Sequence, residues 1–200
     1  MGIQSPIPPG FANAVAESQS VFRVAMSAMA RPGRPLPLRP SLAPPPPLAP
    51  TAAALLLALC DFETPVWLDP PLADARGVAE FLRFHTGARL VASAADASFA
   101  VLADAARMPP LAGFQQGTPE YPDRSATVIL QVETLREAGW RLEGPGIPGH
   151  ALLSADPVPR DFAAQVRANR GRFPCGVDVL FATGDAIAAL PRSTRLTEIA

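Results

Sequence analysis

"ATVILQVE", residues 126 to 133, runs almost unbroken through β-branched and apolar side chains, with none of the alternation that marks a half-exposed strand. A strand written this way is covered on both faces, which is the habit of a sheet with layers packed on either side. Working outward, "GVDVLFAT" at 176–183 and "AIAAL" at 186–190 read as the closing strands, and "TPVWLD" at 64–69, Arg89–Ala92 and Ser98–Ala103 as short ones. "WRLEGPGI", from 140 to 147, alternates and reads as a more peripheral strand.

Helical periodicity fills the gaps. Phe11, Val15, Ser18, Phe22, Ala25, Met26 and Met29 recur at spacings of three and four, and Arg31-Pro32-Gly33 stops that helix. Thr51 suits the cap of a helix using Leu55, Leu56 and Leu59. Further helices are expected over Asp74–Phe84, ending near Gly87, and over 159–171. Strands interleaved with helices of this length predict an α/β domain whose central sheet is covered on two sides. Residues 1–10 are expected to be extended, and the proline-dense stretch 39–50 to be a polyproline-like surface crossover within a single domain spanning 1–200.

Composition excludes several chemistries. All seventeen basic residues are arginines, because no lysine occurs anywhere in the chain. A pyridoxal phosphate Schiff base, a lysine general base and a Walker A loop each need the amine that a guanidinium cannot replace. The net charge of −1 gives no sign of a broad nucleic-acid surface. The apolar run from Leu48 to Cys60, broken by Pro50, is too short to cross a bilayer. With no basic side chain before Arg23 to make a secretory n-region, a cytoplasmic location without membrane attachment is expected. Cys60 and Cys175 have no paired spacing, and His85 and His150 no partner at ligand spacing, so neither a metal nor a cofactor is expected; both cysteines read as buried apolar residues.

Each remaining motif has a structural reading beside a functional one. "GPGIPG", 144–149, matches GxGxxG formally, but Pro145 and Pro148 lack the N–H groups a pyrophosphate needs, so it reads as a turn. Arg160, Arg167, Arg170 and Arg172 enrich the last helix and its exit, a solvated face or a grip on phosphate. Asp178, inside the apolar "VDVLF", needs a cation or several N–H donors and is expected to find an arginine. "LPRST" sets Arg192 beside Ser193 and Thr194 at a strand end, suiting a phosphate or a capping network. "RFHTG" places Arg83, His85 and Thr86 in the last turn before Gly87, where an imidazole can bond terminal carbonyls and complement the helix dipole.

Five blocks in order, "FETPVWL" at 62–68, "LRFHTGA" at 82–88, "ATVILQV" at 126–132, "FPCGVDVLF" at 173–181 and "ALPRST" at 189–194, together with the "MARPG" exit of the first helix, resemble the PhnH family, the H subunits of the bacterial carbon–phosphorus lyase system. The resemblance implies a three-layer α/β/α sandwich with a mixed central sheet, related to the large domain of pyridoxal-phosphate-dependent aminotransferases but lacking the cofactor. It also implies a homodimer joined to the G, I and J subunits in a core complex. That complex supports synthesis of α-D-ribose 1-alkylphosphonate 5-triphosphate from ATP and an alkylphosphonate. Radical cleavage of the C–P bond belongs to the J subunit, whose iron–sulfur cluster this chain's two separated cysteines could not hold.

The family supplies no catalytic residue to transfer. Arg83, His85, Thr86, Arg172, Asp178, Arg192, Ser193 and Thr194 are therefore ligand-binding candidates from this sequence alone. A subunit without complete catalytic machinery is the first expectation. A stand-alone module holding a phosphorylated nucleotide or phosphonate in a relic cofactor cleft is the alternative. An enzyme with its own turnover ranks last, since the sequence offers no nucleophile with a base and an orienting group.

Overall fold

The computed structural model describes residues 6–199. In chain order the strands are β1 (Leu36–Pro37), β2 (Pro65–Leu68), β3 (Arg89–Leu90), β4 (Phe99–Leu102), β5 (Thr127–Gln131), β6 (Thr134–Glu143), β7 (Ala151–Asp156), β8 (Asp178–Ala182), β9 (Ala186–Leu190) and β10 (Arg195–Thr197). The helices are α1 (Ala14–Ala30), α2 (Pro50–Leu59), α3 (Pro70–Ala73), α4 (Arg76–Thr86) and α5 (Phe162–Arg170).

A seven-stranded mixed sheet runs β1-β9-β8-β5-β4-β2-β3, parallel from β8 to β3 and closed by antiparallel β9 and β1. As the apolar run predicts, Val128, Ile129 and Leu130 of β5 are fully buried. Alternation along the strands divides the core in two. Val101, Ile129, Leu180 and Ile187 face a cluster supplied by α1, α2 and α4. Leu102, Val128, Leu130, Val179 and Phe181 face the other, supplied by α5 and by Leu142 and Leu153 of a small antiparallel sheet, β10-β6-β7.

Local chemistry explains most element ends. The Asn13 side chain accepts from the Ala16 N–H at 3.1 Å while the Glu17 carboxylate accepts from the Asn13 N–H at 2.7 Å, closing the start of α1 from both sides. Gly87, at φ 70°, ends α4 in the left-handed conformation with its N–H on the Arg83 carbonyl at 3.0 Å. The proline tract carries no helix or strand between 38 and 49, and it is anchored by buried Leu42 and Leu48. Of the expected extended start, residues 6–10 are free of helix and strand, and 1–5 lie outside the described residues.

The structure corrects several expectations. Thr51 does not cap α2: Pro50 takes the first helical position, the Gln131 side chain accepts from the Ala49 N–H at 2.6 Å, and the buried Thr51 hydroxyl donates to the Thr183 carbonyl. On α1 the packed face is Val21, Ala25 and Ala28, because small side chains let the helix approach α2 and β9 closely. Val15, Phe22 and Met26 are left 70%, 48% and 52% exposed.

The peripheral strand begins at Thr134, not Trp140; exposed Arg136 and Glu137 belong to the outer half of a two-sided ribbon and hide its pattern. "ALLSAD" is a strand, β7, and β10 follows β9 as the last. The last helix starts at Phe162, after the 3-residue lead from Pro159. Cys60 is buried, but Cys175 is only half-buried.

Candidate functional site

The eight sequence candidates fall into two groups, both at the edge of the sheet where the parallel strands begin. Asp178 opens β8, while Arg83, His85 and Thr86 end α4, just before β3. Between β8 and β3 lie β5, β4 and β2, a separation of roughly 19 Å at about 4.8 Å per strand. They do not form one pocket.

In the α4 group, the Thr86 hydroxyl donates to the Leu82 carbonyl at 2.7 Å and accepts from the Ala88 N–H at 3.0 Å. His85 does not bond the helix's terminal carbonyls. Its Nε2 lies 2.9 Å from the Pro8 carbonyl, and because that oxygen only accepts, Nε2 carries the proton. Phe81 and Phe84 meet the ring edge-on at 4.6 and 4.9 Å, and a Cβ at Gly10 would come within 2.8 Å of Nδ1. The imidazole thus clamps the N-terminal segment against α4. Arg83 is exposed and, among the described residues, forms no ion pair.

In the other group, Asp178 finds the arginine it needs in "LPRST". The Arg192 Nε lies 3.2 Å from both carboxylate oxygens, Nη2 is 2.5 Å from Oδ2, and the Arg192 N–H donates to Oδ1 at 2.7 Å. Nη1 reaches the Pro122 carbonyl at 2.6 Å and the Pro174 carbonyl at 3.5 Å. With the guanidinium engaged on every side, this pair fastens the start of β8 to the 122–124 turn, the 173–174 loop and the β9 exit.

Thr194 is 1% exposed, and its hydroxyl has no partner among the described residues; Ser193 is half-buried. Arg172 is exposed and stands 3.4 Å from the Gln116 carboxamide oxygen. Arg167 pairs with Glu198 at 3.2 Å, and Arg170 lies 5.0 Å from the Phe173 ring centre, so much of the basic helix exit is engaged within the chain.

Among the buried polar residues that sequence reasoning missed are Asn169 and Asp69. Asn169, 6% exposed, donates to the Val177 carbonyl and accepts from the Val177 N–H, both at 2.9 Å, stitching α5 to β8. Asp69, 3% exposed, accepts from the N–H groups of Leu72, Ala103 and Asp104 at 3.3, 2.8 and 2.9 Å. Burial pushes its carboxyl above the usual range, against the pull of those three donors. Asp69 sits where strand order reverses, β3 lying on one side of β2 and β4 on the other. Open α/β sheets hold ligands in the crevice at such a point, and here the Asp69 carboxylate ties the end of β2 to the N–H groups that follow β4. An Asp just before "PPLA" is the sequence signal for its capping of α3.

A different concavity lies between the α1 exit and the β6–β7 hairpin. This cleft of about 550 Å³ is lined by Arg31, Arg34, Glu137 and His150, over apolar Pro32, Ile147 and Leu152. "GPGIPG" forms its rim as the turn of the hairpin. Among the described residues no cluster of three or more His, Cys, Asp or Glu side chains is placed to hold a metal ion. No helix among them is long and apolar enough to cross a membrane.

These features define a class: a mixed α/β protein with one sheet edge fastened by a buried arginine–carboxylate pair and an open cleft lined by arginines. The chain belongs to the PhnH family, whose model, described as bacterial phosphonate metabolism protein, matches residues 9–197. It is 41% identical over 199 residues to the alpha-D-ribose 1-methylphosphonate 5-triphosphate synthase subunit PhnH of Rhizobium meliloti (strain 1021), covering 98% of each chain. It is 31% identical over 180 residues to HtxG of Stutzerimonas stutzeri, named as a candidate C-P lyase subunit protein, covering 89% of this chain and 85% of that one.

Proposed function

We propose that this chain is a non-radical subunit of the carbon–phosphorus lyase core complex, supporting synthesis of α-D-ribose 1-alkylphosphonate 5-triphosphate from ATP and an alkylphosphonate. The carrying observation is its 41% identity, along 98% of both chains, with a subunit named for the methyl form of that synthase. In this reading it works in the cytoplasm as a homodimer joined to the G, I and J subunits. The exposed apolar side chains of α1, Val15, Phe22 and Met26, support assembly, because water-facing stripes of this kind are commonly partner surfaces.

The sheet, with helices on one face and α5 with the small sheet on the other, is in this reading an α/β/α sandwich of the aminotransferase large-domain type. Without a lysine it makes no Schiff base. Arg83 and Arg172, both exposed, are the candidates whose guanidinium groups can reach a partner or phosphorylated ligand. His85, Thr86, Asp178, Arg192, Ser193 and Thr194 contribute by holding the surfaces that carry them.

Co-expression with the G, I and J subunits followed by gel filtration tests the proposal. A single peak containing all four chains is expected. Migration of this chain alone under gentle conditions would overturn it.

A further inference from the structure

We infer that the cleft between the α1 exit and the β6–β7 hairpin binds a small molecule bearing one tetrahedral phosphorus dianion, a phosphonate or a phosphate monoester. The inference stands on the cleft's own geometry and goes beyond the subunit reading. Its volume of about 550 Å³ is that of a small-molecule site.

Arg31, Arg34 and His150 all line this cleft. Gly33, φ 80°, seats the link after α1 in the mouth of the hairpin: a Cβ there would come within 2.6 Å of Leu142 Cδ1 and 3.3 Å of Ala151 Cβ. At Gly146 a Cβ would stand 2.0 Å from the Ala30 carbonyl oxygen, so link and turn interlock. Arg31 and Arg34 flank this contact on one side, and His150, next to Ala151, flanks it on the other. None of the three is engaged in an ion pair or side-chain hydrogen bond among the described residues; Arg39 and Arg141, by comparison, are paired with Asp185 and Glu143. Two guanidinium groups with an imidazole N–H can meet the two charges and three oxygens of a phosphorus dianion, where a carboxylate offers one charge and two oxygens.

Glu137 also lines the cleft. Glu137 offsets only one of the two guanidinium charges, so the lining stays net positive. It also opposes a polyphosphate lying along the cleft and offers an acceptor to a ligand hydroxyl or amine.

Calorimetric titration of the full chain with methylphosphonate, glycerol phosphate, 2-aminoethylphosphonate and ATP tests this. Millimolar or tighter binding of the single-phosphorus compounds is expected, the stronger of the first two distinguishing phosphonate from phosphate monoester. Arg31→Gln and Arg34→Gln should each weaken it by about tenfold, as loss of a charge-assisted hydrogen bond does. Arg31→Lys should weaken it less. Glu137→Gln should weaken 2-aminoethylphosphonate alone. All these side chains are exposed, so circular dichroism should show the variants folded.

Absence of binding at millimolar ligand, tighter binding of ATP than of methylphosphonate, or equal weakening by the distant Arg89→Gln would each overturn the inference. Assembly with the partner subunits is read separately, so a chain that binds ligand but fails to assemble refutes only the subunit reading.

Discussion

Replacing Arg192 with glutamine removes the side chain that neutralises Asp178. The carboxylate keeps the Arg192 backbone N–H at 2.7 Å and loses its contacts with the guanidinium Nε and Nη2. The two side chains are 16% and 13% exposed, so water reaches the abandoned charge poorly. Breaking a buried pair by removing one partner costs about 3–5 kcal/mol, and the residual exposure favours the lower end, about 3 kcal/mol. For a domain of this size that lowers Tm by about 6–12 °C.

The double variant Asp178→Asn with Arg192→Gln removes the stranded charge and should recover at least about 1 kcal/mol over Arg192→Gln alone. Thermal and urea unfolding followed by circular dichroism measure both. A loss below about 1 kcal/mol for Arg192→Gln, the value of a surface pair, would refute the claim that this contact fastens the sheet edge.

His85→Ala should release the segment around Pro8 at a cost of about 1 kcal/mol, read as faster hydrogen exchange near residues 10–13; unchanged protection there would contradict the clamp. Asn169→Ala leaves the N–H and carbonyl of Val177 unpaired beneath α5, and should cost about 2–4 kcal/mol in urea unfolding, with Asn169→Asp recovering only the N–H contact. Burial pushes the Cys60 thiol up from 9.0 to about 12, so a maleimide should label half-buried Cys175 first at pH 8 and reach Cys60 only on unfolding. Because the folded value is the higher one, the stability contributed by the neutral Cys60 thiol is complete below pH 9 and is lost as pH rises toward about 12. Equal labelling of both cysteines in the folded chain would contradict the burial of Cys60.

Local readings succeeded where a residue's own neighbours decide its state. The run at 126–133 announced a strand covered on both faces, Gly87 announced the end of α4, and the prolines and glycines of "GPGIPG" announced a turn. The outer hairpin was legible only in part, as a strand from Trp140, because the solvent side of its first half carries charged side chains without a rule that sequence can express. The face of α1 is legible only in part: the periodic stripe includes Ala25, Phe11 and Met29, which pack, but it also takes in Val15, Phe22 and Met26, which stay exposed, and omits Val21 and the small Ala28.

The site was legible in kind but not in arrangement. That Asp178 requires a cation follows from the cost of burying a bare carboxylate. That "LPRST" carries a polar network follows from its composition. Joining the two required the antiparallel return of β9 along β8, which brings Arg192 back to the residue that opens β8.

The sequence by itself determined the α/β class, the buried central strand, the absence of lysine chemistry and, through ordered blocks, the PhnH resemblance, because each depends on composition or short-range pattern. Only the tertiary structure decided that His85 meets a carbonyl 77 residues away, that Asp69 ties the end of β2 to the exit of β4 at the strand reversal, and that Arg31, Arg34 and His150 share one cleft. Those contacts join residues whose local sequences carry no trace of one another. They exist because burying two faces of one sheet leaves the chain few ways to fold back.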